Sequence, residues 1–154
     1  NSADEVKQNW EKIKKKEKKK SSILSDYPPQ MPALSHAKRV AEQASSVGFD
    51  WDDPLKALEK VEEEIEELKK EIKAKHRDRV EEELGDILFA VANVARLTEV
   101  NPEFAFKQAN RKFVTRFRYI ERELKNQGKE ILDTSLDEME ELWQQAKTKA
   151  EIPN

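Results

Sequence analysis

Hydrophobic positions recur at steps of three and four along most of the chain, which is the spacing of one face of an α-helix. No stretch shows the sustained two-residue alternation, bounded by turn residues, that indicates a β-strand. The pattern predicts an all-α fold with six helices, over about residues 3–20, 35–47, 54–75, 78–99, 102–127 and 135–150.

Residues that start and end helices mark the boundaries of these segments. Asp53 stands directly before a proline, so a capping side chain precedes a proline at the first helical position. Ser135 and Glu138 have the S-x-x-E spacing of a capping box. Gly48 and Gly128 fall where helices are expected to end, because glycine readily takes the left-handed conformation that closes a helix.

The first predicted helix and the segment after it differ from the rest of the chain. Val6, Trp10 and Ile13 give that helix a short apolar seam, and residues 14–20 are almost all lysine. Blocks of like charge are usually tails or linkers, so we expect a solvated arm followed by a proline-containing linker over residues 21–34. A nucleic-acid or localisation role for the lysine run is the alternative.

Composition narrows the class of protein. Charged residues make up 40% of the 154-residue chain, but 29 Lys and Arg nearly balance 32 Asp and Glu, and the net charge is -3. This balance argues against disorder and against bulk electrostatic binding of nucleic acid. No apolar run approaches the about 20 residues of a membrane span. The lack of cysteine excludes disulfide scaffolds and thiolate metal sites. We expect a cytoplasmic protein without membrane or nucleic-acid partners.

Acidic residues stand beside the apolar stripe of the third predicted helix. That stripe consists of Leu55, Leu58, Val61, Ile65, Leu68 and Ile72. At 100° per residue, Glu64 falls at the edge of the stripe, and Glu67 follows one turn later on the same side. Taken alone, such a run is typical of a solvated helix face.

The fourth predicted helix makes the acidic residues more informative. Residues 87–97 are apolar nearly all round, so we expect burial on most faces. Glu83, Asp86 and Asn93 nevertheless share one side of this helix. Burying an ionised carboxylate is costly unless a cation or a hydrogen-bond donor compensates. A core Asp paired with Lys or Arg is the simpler alternative, but it does not easily neutralise four carboxylates from two helices.

The carboxylates form two spaced motifs. E-E-x-x-E comprises Glu63, Glu64 and Glu67, and E-x-x-D comprises Glu83 and Asp86. The short connection between the two helices predicts antiparallel neighbours, so that the pairs face each other. Oxygen ligands without Cys or a nearby His suit Mg²⁺ or Mn²⁺. A di-iron carboxylate bundle is the weaker rival, because it needs Glu-x-x-His motifs.

Paired cations and a tryptophan mark the last two predicted helices. The fifth helix is expected to pack through Phe106, Ala109, Phe113, Phe117, Ile120 and Leu124. Beside this stripe, Lys112 and Arg116 form either surface ion pairs or a cationic pair for a polyphosphate. Trp143 and Lys147 repeat the spacing, and Trp143 is either a core anchor or a platform on which a base stacks.

Five segments, in this order, resemble the MazG family of nucleoside triphosphate pyrophosphohydrolases. They are residues 31–53, KVEEEIEEL at 60–68, EELGDILFAVANVAR at 82–96, NPEFAFKQANRKFVTRFR at 101–118 and EMEELWQQAK at 138–147. The resemblance implies a helical bundle that forms an intertwined homodimer or higher oligomer. It also implies Mg²⁺-dependent hydrolysis of nucleoside triphosphates to monophosphates and pyrophosphate. The oxygen ligands equally suit Mn²⁺, and stacking of a base on Trp143 would give broad base tolerance.

The resemblance also assigns expected roles to individual residues. It implies metal binding by Glu64, Glu67, Glu83 and Asp86. Glu63 is a candidate to orient or deprotonate water. Nucleotide contacts are implied at Lys60, Asn93, Lys112, Arg116, Trp143 and Lys147.

The domain organisation follows from the same resemblance. Residues 1–30 are expected to be a charged helical arm and linker, and residues 31–150 the pyrophosphohydrolase domain. Because family members often contain two such modules, we expect this chain to be the C-terminal catalytic one. Two alternatives stay open: a non-catalytic helical dimerisation module, and a relative restricted to dUTP or dCTP.

Overall fold

The computed structural model describes residues 2–18 and 22–149, and all regular structure in those ranges is helical. The helices are α1 (Ser2–Lys18), α2 (Ala33–Ser45), α3 (Pro54–Ala74), α4 (Arg77–Leu97), α5 (Pro102–Asn126) and α6 (Leu136–Lys149), with a short 3₁₀ turn at Ile131–Asp133. The predicted all-α class is confirmed. Residues 19 and 20, at the end of the lysine run, and the predicted helix end at residue 150 lie outside the described residues.

The predicted N-terminal caps are present in the structure. The Asp53 side chain accepts a hydrogen bond of 2.8 Å from the Leu55 amide at the start of α3. At the start of α6 the Ser135 hydroxyl accepts from the Glu138 amide at 3.2 Å. Only this half of the predicted capping box is seen, because the Glu138 carboxylate pairs with Lys129 Nζ at 2.7 Å instead.

Left-handed residues end four of the helices. Gly48 after α2 and Gly128 after α5 have φ values of +89° and +66°, as their positions predicted. Lys75 after α3 and Glu99 after α4 adopt the same region with φ of 57° and 59°, although neither is glycine. After Lys75 only one further residue precedes α4, so α3 and α4 are joined by a two-residue turn.

The described residues form two compact units, one ending at Pro102 and the other beginning at Glu103. In the first unit α3 and α4 pack as an antiparallel hairpin, and α4 also packs against α2. The buried residues along these helices are Ala41, Ala57, Val61, Ala92 and Asn93. The hairpin therefore brings the acidic sides of α3 and α4 together. None of the described helices combines the length and the apolar character needed to cross a bilayer.

Part of the predicted linker lies against α2 through Ser25 and Tyr27. The Tyr27 hydroxyl donates to Gln43 Oε1 at 2.5 Å, and Gln43 Nε2 donates to Ser25 Oγ at 2.7 Å. The Tyr27 ring also packs on His36, with centroids 4.6 Å apart. These contacts hold the segment before α2 in place, whereas the domain boundary at residue 30 stays a prediction.

In the second unit, the C-terminal half of α5 packs against α6. The core consists of Ile120, Leu124 and Leu142, and the partly buried residues around it are Phe117, Ile131, Met139 and Trp143. This core uses the last three positions of the apolar stripe predicted for α5. Phe106 and Phe113, from the first half of that stripe, are exposed.

The apolar stripes of α3 and α4 are less buried than the sequence predicted. On α3, Val61 is buried, but Leu55, Leu58, Ile65 and Ile72 are exposed. On α4, Leu88 is 57% exposed, and Phe89 and Val91 are also exposed, so the prediction that residues 87–97 are buried on most faces is wrong for the single chain. A helix that is apolar all round needs neighbours on every side, and α4 packs mainly against α2 and α3.

Candidate metal centre

Three carboxylates meet where α3 and α4 face each other. One oxygen from each of Glu64, Glu83 and Asp86 lies within 4.8 Å of the other two. Glu83 and Asp86 share a side of α4 because they are three residues apart, and Glu64 approaches from the opposite arm of the hairpin. Glu64 and Glu83 are half-buried, and Asp86 is exposed. The structure thus brings together three of the four residues predicted as metal ligands.

Glu67, the fourth predicted ligand, lies outside this three-residue cluster. Its carboxylate forms an ion pair of 2.7 Å with Lys70 Nζ on the same helix. Its charge nevertheless acts on the cluster, because it helps to raise the pKa of Glu83. Metal binding by Glu67 stays a prediction, and a bound cation would compete with Lys70 for the carboxylate.

The pKa values of two clustered carboxyl groups, Glu83 and Glu64, are shifted in opposite directions. The pKa of Glu83 is raised, first by desolvation and then by the hydrogen bond and negative charge of Glu64 and by the charge of Asp86. The pKa of Glu64 is lowered, chiefly by its hydrogen bond with Lys60. Glu83, rather than Glu64, is therefore the carboxyl group whose charge is disfavoured.

These residues fit a hard divalent cation. The donor atoms are all carboxylate oxygens, which Mg²⁺ and Mn²⁺ prefer as ligands. Lys60 is the basic residue that pairs with the cluster within the described part of the chain, and its single charge does not balance the three carboxylates. A cation between them would offset the repulsion that raises the pKa of Glu83.

Lys60 also connects the cluster to Glu63. Its Nζ lies 2.9 Å from Glu64 Oε1 and 3.2 Å from Glu63 Oε2. The Glu63 side chain is 69% exposed, so water reaches it freely. Glu63 thus lies at the edge of the cluster, as its place in E-E-x-x-E indicates, but its catalytic role stays a prediction.

A cavity of about 270 Å³ adjoins the carboxylates. Its lining consists of Trp51, Lys60, Glu64, Asp86, Phe89, Ala90 and Asn93. A second cavity of about 470 Å³ shares Trp51, Phe89 and Asn93 with the first and extends over α2. The two together fall in the size range of small-molecule sites. Sequence reasoning missed Trp51 and Phe89, although an aromatic residue in the loop directly before the E-E-x-x-E helix was a usable signal for Trp51.

Asn93 is held in this cavity by a polar network. Its side-chain oxygen accepts a hydrogen bond of 2.9 Å from Arg96 Nε. The Arg96 guanidinium in turn pairs with Asp50, 46 residues earlier in the chain. The sequence carries no signal for this pair, because only the path of the loop between α2 and α3 brings Asp50 to α4.

The remaining predicted nucleotide residues belong to the second unit. The Arg116 guanidinium carbon lies 5.4 Å from the centroid of the Trp143 ring, and the Phe113 ring lies 5.3 Å from it. Arg116 Nε is buried and has no hydrogen-bond partner among the described residues. Lys112 and Lys147 are exposed. Trp143 packs on the core of its unit, and its role in stacking a base stays a prediction.

Known proteins resemble this chain over most of its length. Residues 52–123, which include all three clustered carboxylates, match the MazG nucleotide pyrophosphohydrolase domain. The chain is 45% identical over 140 residues to the nucleoside triphosphate pyrophosphohydrolase/pyrophosphatase MazG of Thermotoga maritima, a match covering 90% of this chain and 54% of that protein. It is 41% identical over 150 residues to the nucleoside triphosphate pyrophosphohydrolase of Escherichia coli K12, covering 94% of this chain and 57% of that protein.

A third relative is the uncharacterized protein YabN of Bacillus subtilis, 46% identical over 147 residues and matched over 30% of its own length. The chain thus spans little more than half the length of the Thermotoga maritima and Escherichia coli K12 proteins. The motifs, the helical hairpin and these matches agree, and the resemblance drawn from the sequence is confirmed: the chain contains a MazG nucleotide pyrophosphohydrolase domain.

Proposed function

We propose that this chain hydrolyses nucleoside triphosphates to nucleoside monophosphates and pyrophosphate in the cytoplasm, with Mg²⁺ as its cofactor and Mn²⁺ as a substitute. The observation that carries the proposal is the meeting of Glu64, Glu83 and Asp86 within a MazG domain. Two relatives with more than 40% identity are named as enzymes of this activity, which adds support.

Four carboxylates would hold the cation. Glu64, Glu83 and Asp86 already converge, and Glu67 is one helical turn from Glu64. Bound Mg²⁺ supplies positive charge that polarises phosphate oxygens and offsets the charge that develops on them. Lys60 exchanges its present carboxylate partners for phosphate oxygens when a triphosphate enters.

Glu63 and the cations of the second unit would act on the substrate. Glu63 orients a water molecule and accepts its proton while the oxygen adds to phosphorus and the anhydride P–O bond between the α- and β-phosphates breaks. Lys112 and Arg116 donate hydrogen bonds to phosphate oxygens as negative charge develops there. Trp143 and Lys147 contact the nucleotide, and stacking on an aromatic ring tolerates any base, which supports broad base tolerance.

The active form is proposed to be a homodimer or a larger assembly. On α3, Leu58, Ile65 and Ile72 are exposed at steps of seven residues, so they share one side of the helix. On α4, Leu84, Leu88 and Val91 are exposed at steps of four and three. Helix faces that expose several large apolar side chains often belong to protein–protein interfaces. A second copy of the chain is the occupant that the family resemblance implies.

A nucleotide panel assayed with and without Mg²⁺ tests the proposal. Release of pyrophosphate and monophosphate from all common triphosphates, only with the cation present, is the expected result. Release of diphosphate and inorganic phosphate would instead indicate an ordinary phosphatase. Turnover of dUTP or dCTP alone would indicate a restricted relative. Absence of both turnover and Mn²⁺ binding would support a non-catalytic dimerisation module, which the exposed apolar helix faces would equally suit.

A further inference from the structure

Asn93 is a buried polar residue. It lines the 270 Å³ cavity together with two of the clustered carboxylates and two aromatic residues, Trp51 and Phe89. It is only 3% exposed, and it lines both cavities. Its contact with Arg96 fixes the identity of its two side-chain atoms, because a guanidinium group has only donors and the atom facing Arg96 Nε must be the amide oxygen. The amide nitrogen has no hydrogen-bond partner in the described part of the chain. Asn93 lines both cavities, so an acceptor on a bound ligand would bond to its N–H groups without displacing a protein partner.

Arg96 is itself held firmly. Its side chain is 11% exposed, and its two terminal nitrogens donate to the two carboxylate oxygens of Asp50. Bidentate pairing of this kind fixes the plane of a guanidinium group as well as its position. Since Nε of the same group donates to Asn93, the orientation of the Asn93 amide depends on the Asp50–Arg96 pair.

The distance along α4 indicates which part of a substrate would meet Asn93. Seven residues separate Asp86 from Asn93, which is about 10 Å of helix at 1.5 Å per residue. Phosphates held at the carboxylate cluster would therefore leave the nucleoside near Asn93. Trp51 and Phe89 line the same cavity and offer apolar surface to a base or a sugar.

We propose that Asp50 and Arg96 are positioning residues that hold the Asn93 amide with its N–H groups directed at an acceptor on the nucleoside part of the substrate. This inference rests on the proposed function and adds to it the residues that recognise the nucleoside. Asn93 provides the contact, and Asp50 and Arg96 act only through it. Trp51 is next to Asp50 in the same loop and lines the same cavity as Asn93, so it offers an apolar surface beside the polar contact.

The substitution Asn93→Asp tests the contact itself. It keeps the size of the side chain and an oxygen for Arg96, but it removes both N–H donors. We expect the KM for nucleoside triphosphates to rise about tenfold with a smaller change in kcat, since a buried acceptor on the ligand would lose its donor. Circular dichroism checks that the variant keeps its helical fold, because a buried carboxylate that shares Arg96 with Asp50 should lower the stability.

Inorganic tripolyphosphate is the matched probe, because it carries the phosphates without the nucleoside. Its binding in the presence of Mn²⁺, measured by calorimetry, should change less than about twofold in Asn93→Asp, because the new carboxylate faces Arg96 and lies about 10 Å along α4 from Asp86. An equal loss of tripolyphosphate binding would mean that the new charge merely repels phosphate, and this result would overturn the inference.

The positioning role is tested by combining Asn93→Asp with Asp50→Asn. Alone, Asp50→Asn should raise the KM severalfold, whereas in the Asn93→Asp background it should raise the KM no further, because residues acting through one contact are not additive. Asp52→Asn is the matched control, since Asp52 lies in the same loop and pairs with Lys56 at 2.8 Å outside both cavities. Additive effects of the two substitutions would overturn the positioning role.

The failure of this inference is separable from the failure of the proposed function. An active wild-type protein whose KM is unchanged by Asn93→Asp keeps the function and overturns the nucleoside contact. A wild-type protein that neither hydrolyses nor binds nucleoside triphosphates overturns both.

Discussion

Asp86 is the most exposed of the three clustered carboxylates, and it has no ion-pair partner among the described residues. Replacing it with Asn therefore removes a negative charge without breaking an ion pair. We expect Asp86→Asn to abolish turnover and to weaken Mn²⁺ binding by about tenfold or more, because a neutral amide is a poorer ligand for a hard cation. The far-ultraviolet circular dichroism should keep its helical signal.

Glu66→Gln is the matched control for Asp86→Asn. Glu66 is an exposed carboxylate on α3 that pairs with Lys69 at 2.6 Å and lies outside the cluster. Its substitution should leave Mn²⁺ binding and turnover intact. Full activity in Asp86→Asn would remove Asp86 from the proposed metal site.

The ion pair between Glu67 and Lys70 gives a second test at the residue scale. If Glu67 binds the metal, the cation competes with Lys70 for its carboxylate, so Lys70→Ala should tighten Mn²⁺ binding. Exposed ion pairs contribute about 0.2–1 kcal/mol, which sets the expected gain at up to about fivefold. Titration calorimetry with Mn²⁺ measures the effect. Unchanged or weaker binding would indicate that Glu67 is not a ligand in solution.

At the scale of helices, the contact between α5 and α6 depends on a small core. Leu124 is 2% exposed at its centre, whereas Leu132 in the connection is 94% exposed. Leu124→Ala should reduce the free energy of unfolding by about 2–5 kcal/mol, because it leaves a cavity. The same change at Leu132 should stay within about 0.5 kcal/mol. Urea denaturation of both variants compares them, and equal losses would contradict the packing.

The helices and their ends were predictable because they depend on neighbours in sequence. Asp53 caps α3 and Gly128 ends α5 through atoms a few residues away. The acidic cluster was predictable for the same reason, since three-residue spacing and one tight turn place Glu64 opposite Glu83 and Asp86. The hydrogen-bond network of Asn93 was not predictable from the sequence, because Asp50 reaches Arg96 only through the path of the loop between α2 and α3.

Burial was the property that the sequence predicted least well. Hydrophobic periodicity shows which side of a helix is apolar, but not whether the same chain covers that side. Ile65 belongs to the predicted stripe of α3 and Leu88 to the apolar run of α4, yet both side chains are exposed. Their exposure is the main difference between the predicted core and the observed one.

At the scale of the whole molecule, we expect oligomerisation to depend on the exposed leucines of α4, of which Leu88 is one. Leu88→Glu should convert the proposed dimer to a monomer, because burying an unpaired carboxylate in an apolar interface is unfavourable. Light scattering after gel filtration measures the mass. Leu132→Glu is the control, since Leu132 is even more exposed but lies in a connection rather than on this helix face. A monomeric wild-type protein would contradict the dimer.

The three converging carboxylates all lie between positions 64 and 86, on two helices joined by a two-residue turn. Assembly of this centre therefore needs only contacts that are close in sequence, which form faster than contacts between distant parts of a chain. During synthesis the hairpin leaves the ribosome before α5 and α6, so its carboxylates can be gathered while the C-terminal unit is still being made.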